Sequence, residues 1–296
     1  METGFLIIHP GALGDVLQAV PALRGLRAVA PAAPITVVGQ PRLARLLVEL
    51  GAAQQARTFD GFGLEALFVD APTPAALADA MSGVSHVVSW FGSRDETYRR
   101  RLRALAPRAI VAPPVPAEDT PVWRHLLATL AEWDLSLPER REPLRPPPLP
   151  ADPDLRRLVI HPGSGGDWKR WPVERFAEVI RAFRRDRAFE VLVHQGPADA
   201  EPAQRLLALL EGDAAILLEP DLPRLAAVLG GARAYLGGDS GVSHLAAAVG
   251  APSVLLFPPA TRRRWTPWSP TAVAIELQGV DGDVERAREA LTLAFG

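Results

Sequence analysis

Short apolar runs recur along the chain, with helical patterns between them. In the first half they cover residues 5–8, 35–38, 86–89 and 109–111, and in the second half 158–161, 190–193, 214–218, 233–236 and 253–257. Strands that alternate with helices in this way are typical of a parallel, doubly wound sheet. The pattern therefore predicts an α/β protein.

The first helical pattern follows the first run. Its apolar positions recur at spacings of three and four residues, which places them on one face of a single helix. They are Leu13, Val16, Val20, Leu23 and Leu26. Pro31 and Pro34 are expected to end this helix.

A proline-rich segment, 137–153, separates the two halves of the pattern. Its prolines remove amide donors and fix φ, so it cannot form a regular helix or a central strand. We predict a linker over 137–153 between an N-terminal domain, 1–146, and a C-terminal domain, 154–296. With 296 residues in total, each domain is large enough to bury its own core.

Composition narrows the class of protein. Apolar residues make up 48% of the chain, charged residues 22%, and the formal net charge is −2, so no basic surface is expected to bind nucleic acid. The absence of cysteine excludes disulfides and thiolate metal sites. No export signal is visible, and the longest apolar stretch, 245–257, is shorter than the ~20 residues of a membrane-spanning helix. We expect a cytoplasmic protein.

The first of three notable loops follows the first strand and reads Gly11-Ala12-Leu13-Gly14-Asp15. Its glycines permit a tight turn into a helix. For an isolated motif, the more common role of Asp15 is to cap the helix N-terminus. The dinucleotide fingerprint G-x-G-x-x-G is absent.

The second loop, 161–172, follows the first strand after the linker and contains Gly163, Ser164 and two further glycines. Glycines let backbone amides approach an anion closely. Lys169 is the only lysine in the chain, and the other basic residues are arginines. A compact ammonium in this loop suggests an anion site, although the position of a single lysine can also be an accident.

The third loop, 236–244, reads Leu-Gly-Gly-Asp-Ser-Gly-Val-Ser-His and precedes an alanine-rich helix. The amides of Ser240 and Gly241 would lie at the positive end of that helix, where phosphate binds. A simple N-cap by Ser240 or Asp239 is the alternative. The match of 238–241 to the G-D-S-G of chymotrypsin-like proteases is rejected, because those proteases are built of β-barrels.

Together the three loops resemble the ADP-heptose:lipopolysaccharide heptosyltransferase family, glycosyltransferase family 9. The matching pieces are 11–15 with Pro21 and Leu26, 161–163 with 169–172, and 239–248. The resemblance covers nearly the whole chain, and its third motif is the most specific. One departure is Pro258-Pro259-Ala260-Thr261, where the family often has a glycine-containing turn.

The resemblance implies a GT-B architecture, in which two Rossmann-like domains face a central cleft. The first domain would bind the acceptor and the second the nucleotide-sugar donor. The last helix, about 283–294, is expected to pack back on the first domain.

The resemblance also implies inverting transfer of a heptose from ADP-heptose to a lipopolysaccharide-core-type hydroxyl, with Asp15 as general base. Lys169 and the amides of Ser240 and Gly241 would stabilise the departing diphosphate. Donor binding would further involve Gly163, Ser164, Asp239 and His244. No cofactor or metal is expected. The D-x-D patterns at 152–154 and 281–283 are interpreted as linker and helix-start residues, and the remaining histidines, His9, His86, His125, His161 and His194, as strand-end or surface residues.

The acceptor would be an anionic glycolipid or glycan, and contact with the membrane would be peripheral, at the cytoplasmic face of the inner membrane. Gly14, Arg94 and Arg99 are candidate acceptor-binding residues, the arginines within a basic run at 94–103. Such a run is more often a solvated helix face. A second basic cluster, 262–264 with Trp265 and Trp268, either faces the donor phosphates or is exposed to solvent.

Two alternatives stay open. One is a catalytically silent homologue that serves as a binding or assembly module, against which the intact Asp15, Lys169 and Asp239 argue. The other is a sugar-nucleotide epimerase or hydrolase on the same fold.

Overall fold

The computed structural model describes residues 4–148, 157–185, 188–279 and 282–296. The chain divides into two compact units, Met1–Arg140 and Arg141–Gly296, and this division falls within the predicted linker. Residues 149–153 of that linker lie outside the described residues. The rest of it, 137–148, contains no helix or strand, as its prolines predict.

The first unit contains a five-stranded sheet in the order β3-β2-β1-β4-β5, in which every pairing is parallel. Its strands are β1 Gly4–Ile8, β2 Ile35–Gly39, β3 Gln55–Thr58, β4 Val84–Ser89 and β5 Ala109–Val111. Its helices are α1 Leu13–Gln18, α2 Val20–Val29, α3 Pro41–Glu49, α4 Ala75–Met81, α5 Glu96–Leu105 and α6 Val122–Thr129, with 3-10 turns at Leu64–Phe68 and Leu130–Trp133.

The prediction of a single first helix is wrong. The helical face is shared by α1 and α2, which are separated at Ala19. Pro21 has no amide hydrogen to donate to the carbonyl of Leu17, so a continuous helix would lose that bond. Proline is instead tolerated in the first turn of a new helix, where amides have no intrahelical acceptor.

The second unit contains a six-stranded sheet in the order β11-β10-β9-β6-β7-β8, again with parallel pairings throughout. Its strands are β6 Arg157–His161, β7 Glu190–Gln195, β8 Ala215–Leu218, β9 Ala234–Gly238, β10 Ser253–Phe257 and β11 Ala272–Glu276. Its helices are α7 Val173–Arg184, α8 Ala200–Leu209, α9 Leu222–Gly230, α10 Gly241–Ala248, α11 Pro259–Trp265 and α12 Gly282–Phe295, with a 3-10 turn at Asp167–Lys169.

Each unit buries its central strands between helices, as parallel sheets require. In the first unit Leu6 and Ile8 of β1 lie in the core, and in the second Leu158 and Ile160 of β6 do so. The predicted doubly wound α/β class is therefore confirmed in both units.

The last helix, α12, contributes to the core of the second unit. Ala287, Leu291 and Phe295 are buried there, beside residues of α7 and β10. The expectation that this helix also packs on the first unit stays a prediction. Within the described part of the chain, no helix is both long and apolar enough to cross a lipid bilayer.

Candidate functional site

The strand order reverses direction at one point in the second sheet. β6 and β9 are neighbours, with Leu158 opposite Ala234 and His161 opposite Gly237, and later strands are added outward from each of them. The loops after β6 and β9 therefore diverge at the carboxyl edge of the sheet, which is the usual ligand site of a doubly wound fold. These are the second and third loops of the sequence motifs.

Lys169 and Asp239 meet at this switch point. The Nζ atom of Lys169 lies 3.1 Å from Oδ2 of Asp239, whose side chain is only 5% exposed. The same ammonium lies 5.4 Å from the ring centroid of Trp168. Oδ2 of Asp239 accepts no hydrogen bond from the described residues, so its contact with Lys169 is an ion pair that balances a buried charge.

Ser240 caps α10, as one interpretation of the third loop predicted. Its Oγ accepts a hydrogen bond from the amide of Ser243, at 3.2 Å. This cap uses a side-chain oxygen, whereas the first amides of a helix have no acceptor within it. Capping and anion binding are therefore compatible at the same helix end.

His244 lies one turn into α10 and is buried. Burial lowers the pKa of His244 to about 4; the carboxylate of Asp239 opposes this shift and the ammonium of Lys169 adds to it. The imidazole is therefore neutral at neutral pH. Its ring centroid lies 6.2 Å from that of Trp265, so it packs against an aromatic side chain of α11.

The loop after β6 is shaped by close backbone contacts. A Cβ atom on Gly163 would overlap the carboxylate of Asp199 and lie 2.8 Å from Cε1 of His161. Ser164 donates its hydroxyl to the carbonyl of Gly166, at 2.6 Å. Glycine at 163 is thus required by sterics, and the hydroxyl of Ser164 is bonded within its own loop.

His161 and His194 form a buried pair near the ends of the neighbouring strands β6 and β7. Both terminate or nearly terminate strands, as expected, but neither is a surface residue. Their Nδ1 atoms are 3.0 Å apart, and Nε2 of His161 lies 3.9 Å from Oδ2 of Asp199. Burial is the main cause that lowers the pKa of His161 to about 4 and of His194 to about 3, and it raises the pKa of Asp199.

Asp199 was not among the predicted site residues. It follows β7 at the carboxyl edge of the sheet, after Gly196 and Pro197. The rule that ligands bind where parallel strands end could have identified it.

Asp15 lies on the first turn of α1. Its Oδ2 accepts a hydrogen bond from the amide of Ala12, at 2.9 Å, so the capping interpretation describes its contact in the structure. The side chain is partly exposed. The same turn includes Gly11, whose amide donates to Nδ1 of His9, at 3.3 Å, and Gly14, which is also partly exposed.

The basic run divides into two groups. Arg100 pairs with Asp70 and Arg101 donates to the hydroxyl of Thr73. Arg94 is exposed and Arg99 partly exposed. The guanidinium groups of Arg94 and Arg99 make no hydrogen bond or ion pair with another described residue. In the second basic cluster, Arg262 lies 4.0 Å from Glu276.

Among the described residues, no group of three or more potential ligands could hold a metal ion. Asp152, Asp154 and Asp281 of the D-x-D patterns lie outside those residues. Asp283 is buried, and its carboxylate accepts hydrogen bonds from the amides of Gln278 and Gly279. Asp283 is the second residue of α12, in agreement with its interpretation as a helix-start residue.

The family model described as glycosyltransferase family 9 (heptosyltransferase) matches residues 120–289. The chain belongs to glycosyltransferase family 9. The matched residues include Lys169 and Asp239, whereas Asp15 precedes them.

Two curated heptosyltransferases are similar to parts of this family 9 chain. Lipopolysaccharide heptosyltransferase 1 of Pseudomonas aeruginosa is 39% identical over 110 residues, which are 37% of this chain and 30% of that protein. Lipopolysaccharide heptosyltransferase 3 of Escherichia coli is 31% identical over 117 residues, 38% and 34% of the two chains. The matching stretches thus span about one third of each relative's length.

Solved structures match the family 9 chain over almost its whole length. A glycosyl transferase family 9 protein from Veillonella parvula has a TM-score of 0.80 at 18% identity and covers 100% of this chain and 98% of its own. The structure of E. coli heptosyltransferase WaaC with ADP has a TM-score of 0.73 at 17% identity, and the match covers 98% of this chain and 99% of that one. The structure of E. coli ADP-heptose lps heptosyltransferase II has a TM-score of 0.71 at 22% identity, and the match covers 99% of this chain and 98% of that one. At these identities the likeness shows a shared fold.

Proposed function

We propose that this protein is an inverting glycosyltransferase that moves a heptose from ADP-heptose to a hydroxyl of a lipopolysaccharide-core-type glycan. The observation that carries the proposal is the meeting of Lys169 with Asp239 and the α10 N-terminus at the switch point of the second unit. This arrangement lies within the residues that match the family model.

The donor diphosphate would bind to the ammonium of Lys169 and the amides of Ser240 and Gly241. These groups would stabilise the negative charge that develops on the diphosphate as the glycosidic bond breaks. Asp239 would accept hydrogen bonds from sugar or ribose hydroxyls, and Gly163, Ser164 and His244 would shape the site. Because a fixed ammonium and helix amides supply the positive charge, the proposed transfer needs no metal or other cofactor.

Asp15 would accept the proton of the attacking acceptor hydroxyl. Its bond to the amide of Ala12 fixes the carboxylate, and its partial exposure lets a hydroxyl reach it. Direct displacement by that hydroxyl inverts the anomeric carbon. The guanidinium groups of Arg94 and Arg99 would bind phosphates or carboxylates of an anionic glycolipid acceptor. Such an acceptor implies a cytoplasmic enzyme with peripheral contact at the inner membrane.

One observation favours a second candidate, a catalytically silent homologue that binds nucleotide sugars. The bond between Asp15 and the amide of Ala12 gives this carboxylate a structural role that needs no chemistry. A silent homologue would bind the donor and release no product.

A ligand screen followed by a transfer assay tests the proposal. We expect ADP and ADP-heptose to raise the melting temperature more than GDP, UDP or dTDP and their sugars, because a ligand of the folded state stabilises it in proportion to its affinity. ADP-heptose with a lipopolysaccharide-core acceptor should then yield glycosylated product. A shift without product would favour the silent homologue, and no shift with any nucleotide would reject both.

A further inference from the structure

A chain of hydroxyl groups lies beneath the loop after β9. The hydroxyl of Tyr235 on β9 is 2.9 Å from Oγ of Ser243 on α10. Oγ of Ser243 is in turn 3.1 Å from Oγ of Ser240, the cap of α10. These hydrogen-bonded hydroxyl groups therefore connect β9 to the end of α10 that carries the proposed diphosphate-binding amides.

The direction of these hydrogen bonds follows from one carbonyl. Oγ of Ser243 lies 2.5 Å from the carbonyl oxygen of Gly238, which can only accept, so Ser243 donates its single proton there. Its oxygen must then accept from its two hydroxyl neighbours. Tyr235 and Ser240 are therefore both donors to Ser243, and the proton of Ser240 is directed into the protein.

The position of Tyr235 is tightly fixed. Its side chain is fully buried, and a Cβ atom on Gly237 would overlap its hydroxyl and lie 2.9 Å from Oγ of Ser243. Glycine at 237 thus makes room for the phenol to reach the serine. A hydroxyl buried at this point has Ser243 as its bonded partner and cannot turn to solvent.

We propose that Tyr235 is a positioning residue for the nucleoside-diphosphate site: through Ser243 it holds the first turn of α10 against β9 and keeps the hydroxyl of Ser240 turned inward. Ligand phosphate would then meet the backbone amides of Ser240 and Gly241 and not the hydroxyl. This inference rests on the proposed function, because it assumes that a nucleoside diphosphate binds at this helix end.

The test compares two tyrosines that each lose only a hydroxyl. Tyr235→Phe should weaken ADP binding about threefold to tenfold by calorimetry, the range expected for one buried hydrogen bond. Tyr98→Phe is the matched control, because Tyr98 is equally buried and bonded at 2.9 Å to Oγ of Ser89 in the first unit. It should lower the melting temperature similarly and leave ADP affinity unchanged.

A double-mutant cycle separates positioning from general destabilisation. If Tyr235 acts through Ser243, the variant Tyr235→Phe/Ser243→Ala should bind ADP no more weakly than Ser243→Ala alone. Additive losses, or a Tyr235→Phe protein that melts earlier and binds ADP as tightly as wild type, would overturn the inference. Failure of the wild-type protein to bind ADP would instead reject the proposed function on which it rests.

Discussion

The ammonium of Lys169 lies 3.1 Å from the carboxylate of Asp239, so the loops that follow two neighbouring strands are joined by opposite charges. A bound diphosphate would compete with Asp239 for this ammonium. Donor binding would then release the carboxylate of Asp239 to accept hydroxyl groups of the ligand. The same pair would account both for the charge balance of the protein alone and for recognition of the ligand.

Replacement of Lys169 by Ala is predicted to weaken ADP binding at least tenfold, because an ammonium bonded to phosphate contributes on the order of 1.5–3 kcal/mol. Calorimetry would measure the change. Arg175→Ala is a suitable control, since Arg175 belongs to a partly exposed ion pair with Glu178 on α7. Equal ADP affinity of the Lys169→Ala and wild-type proteins would show that Lys169 does not bind the diphosphate.

Replacement of Asp15 by Asn should reduce transfer by at least ~10²-fold, the effect of losing a general base. Asparagine retains an oxygen that can accept the Ala12 amide, so the helix cap is preserved. ADP affinity should therefore stay near the wild-type value. Asp221→Asn, which makes the same change at the cap of α9, should leave transfer intact. Normal turnover by the Asp15→Asn enzyme would assign that residue to the cap alone.

Stability should fall as pH decreases from 7 to 4. Burial lowers the pKa of His9, His161 and His244 to about 4 each, from 6.5. The unfolded chain therefore binds protons between pH 6.5 and 4 that the folded chain does not, and each such proton contributes a slope of about 1.4 kcal/mol per pH unit. The raised pKa of Asp199 acts in the opposite direction.

Urea unfolding at pH 5, 6 and 7 would measure this slope. His9→Asn should reduce this slope by roughly the contribution of one proton, because asparagine does not titrate. Its side-chain oxygen can still accept a hydrogen bond from the Gly11 amide, as Nδ1 of His9 does. A wild-type protein as stable at pH 5 as at pH 7 would contradict the prediction.

Two glycines of one loop should respond differently to alanine. Gly163→Ala would place a methyl group on the carboxylate of Asp199, and overpacking of this kind costs about 1–3 kcal/mol. Gly165→Ala meets no atom within 4 Å and should be nearly neutral. Melting temperature and ADP affinity of the two variants would test the difference. Equal behaviour would show that the loop adjusts freely.

The apolar runs of the sequence correspond to nine of the eleven strands found among the described residues, because buried parallel strands are apolar on both faces. β3, Gln55–Thr58, was not predicted from the sequence, because three of its four side chains are exposed at a sheet edge. β11, Ala272–Glu276, lies at an edge of the second sheet and is only partly buried. An edge position alone does not prevent prediction, because the edge strands β5 and β8 have apolar sequences and were predicted.

The site was accessible to sequence reasoning only in part. Lys169 and Asp239 could be assigned to one site because each follows a strand and has glycines nearby, whereas their contact with each other was not predicted. The contacts of Tyr235 with Ser243, and of His161 with His194, depend on which strands and helices become neighbours. Spacing along the chain carries no information on that, so these groups could be identified only in three dimensions.

The solitary lysine has a practical consequence. Apart from the α-amino group, Lys169 carries the only primary amine in the chain, and its side chain is 22% exposed. An amine-selective reagent would therefore modify a single side chain, and protection of the Lys169 side chain by added nucleotide would report occupancy of the proposed site directly by mass spectrometry.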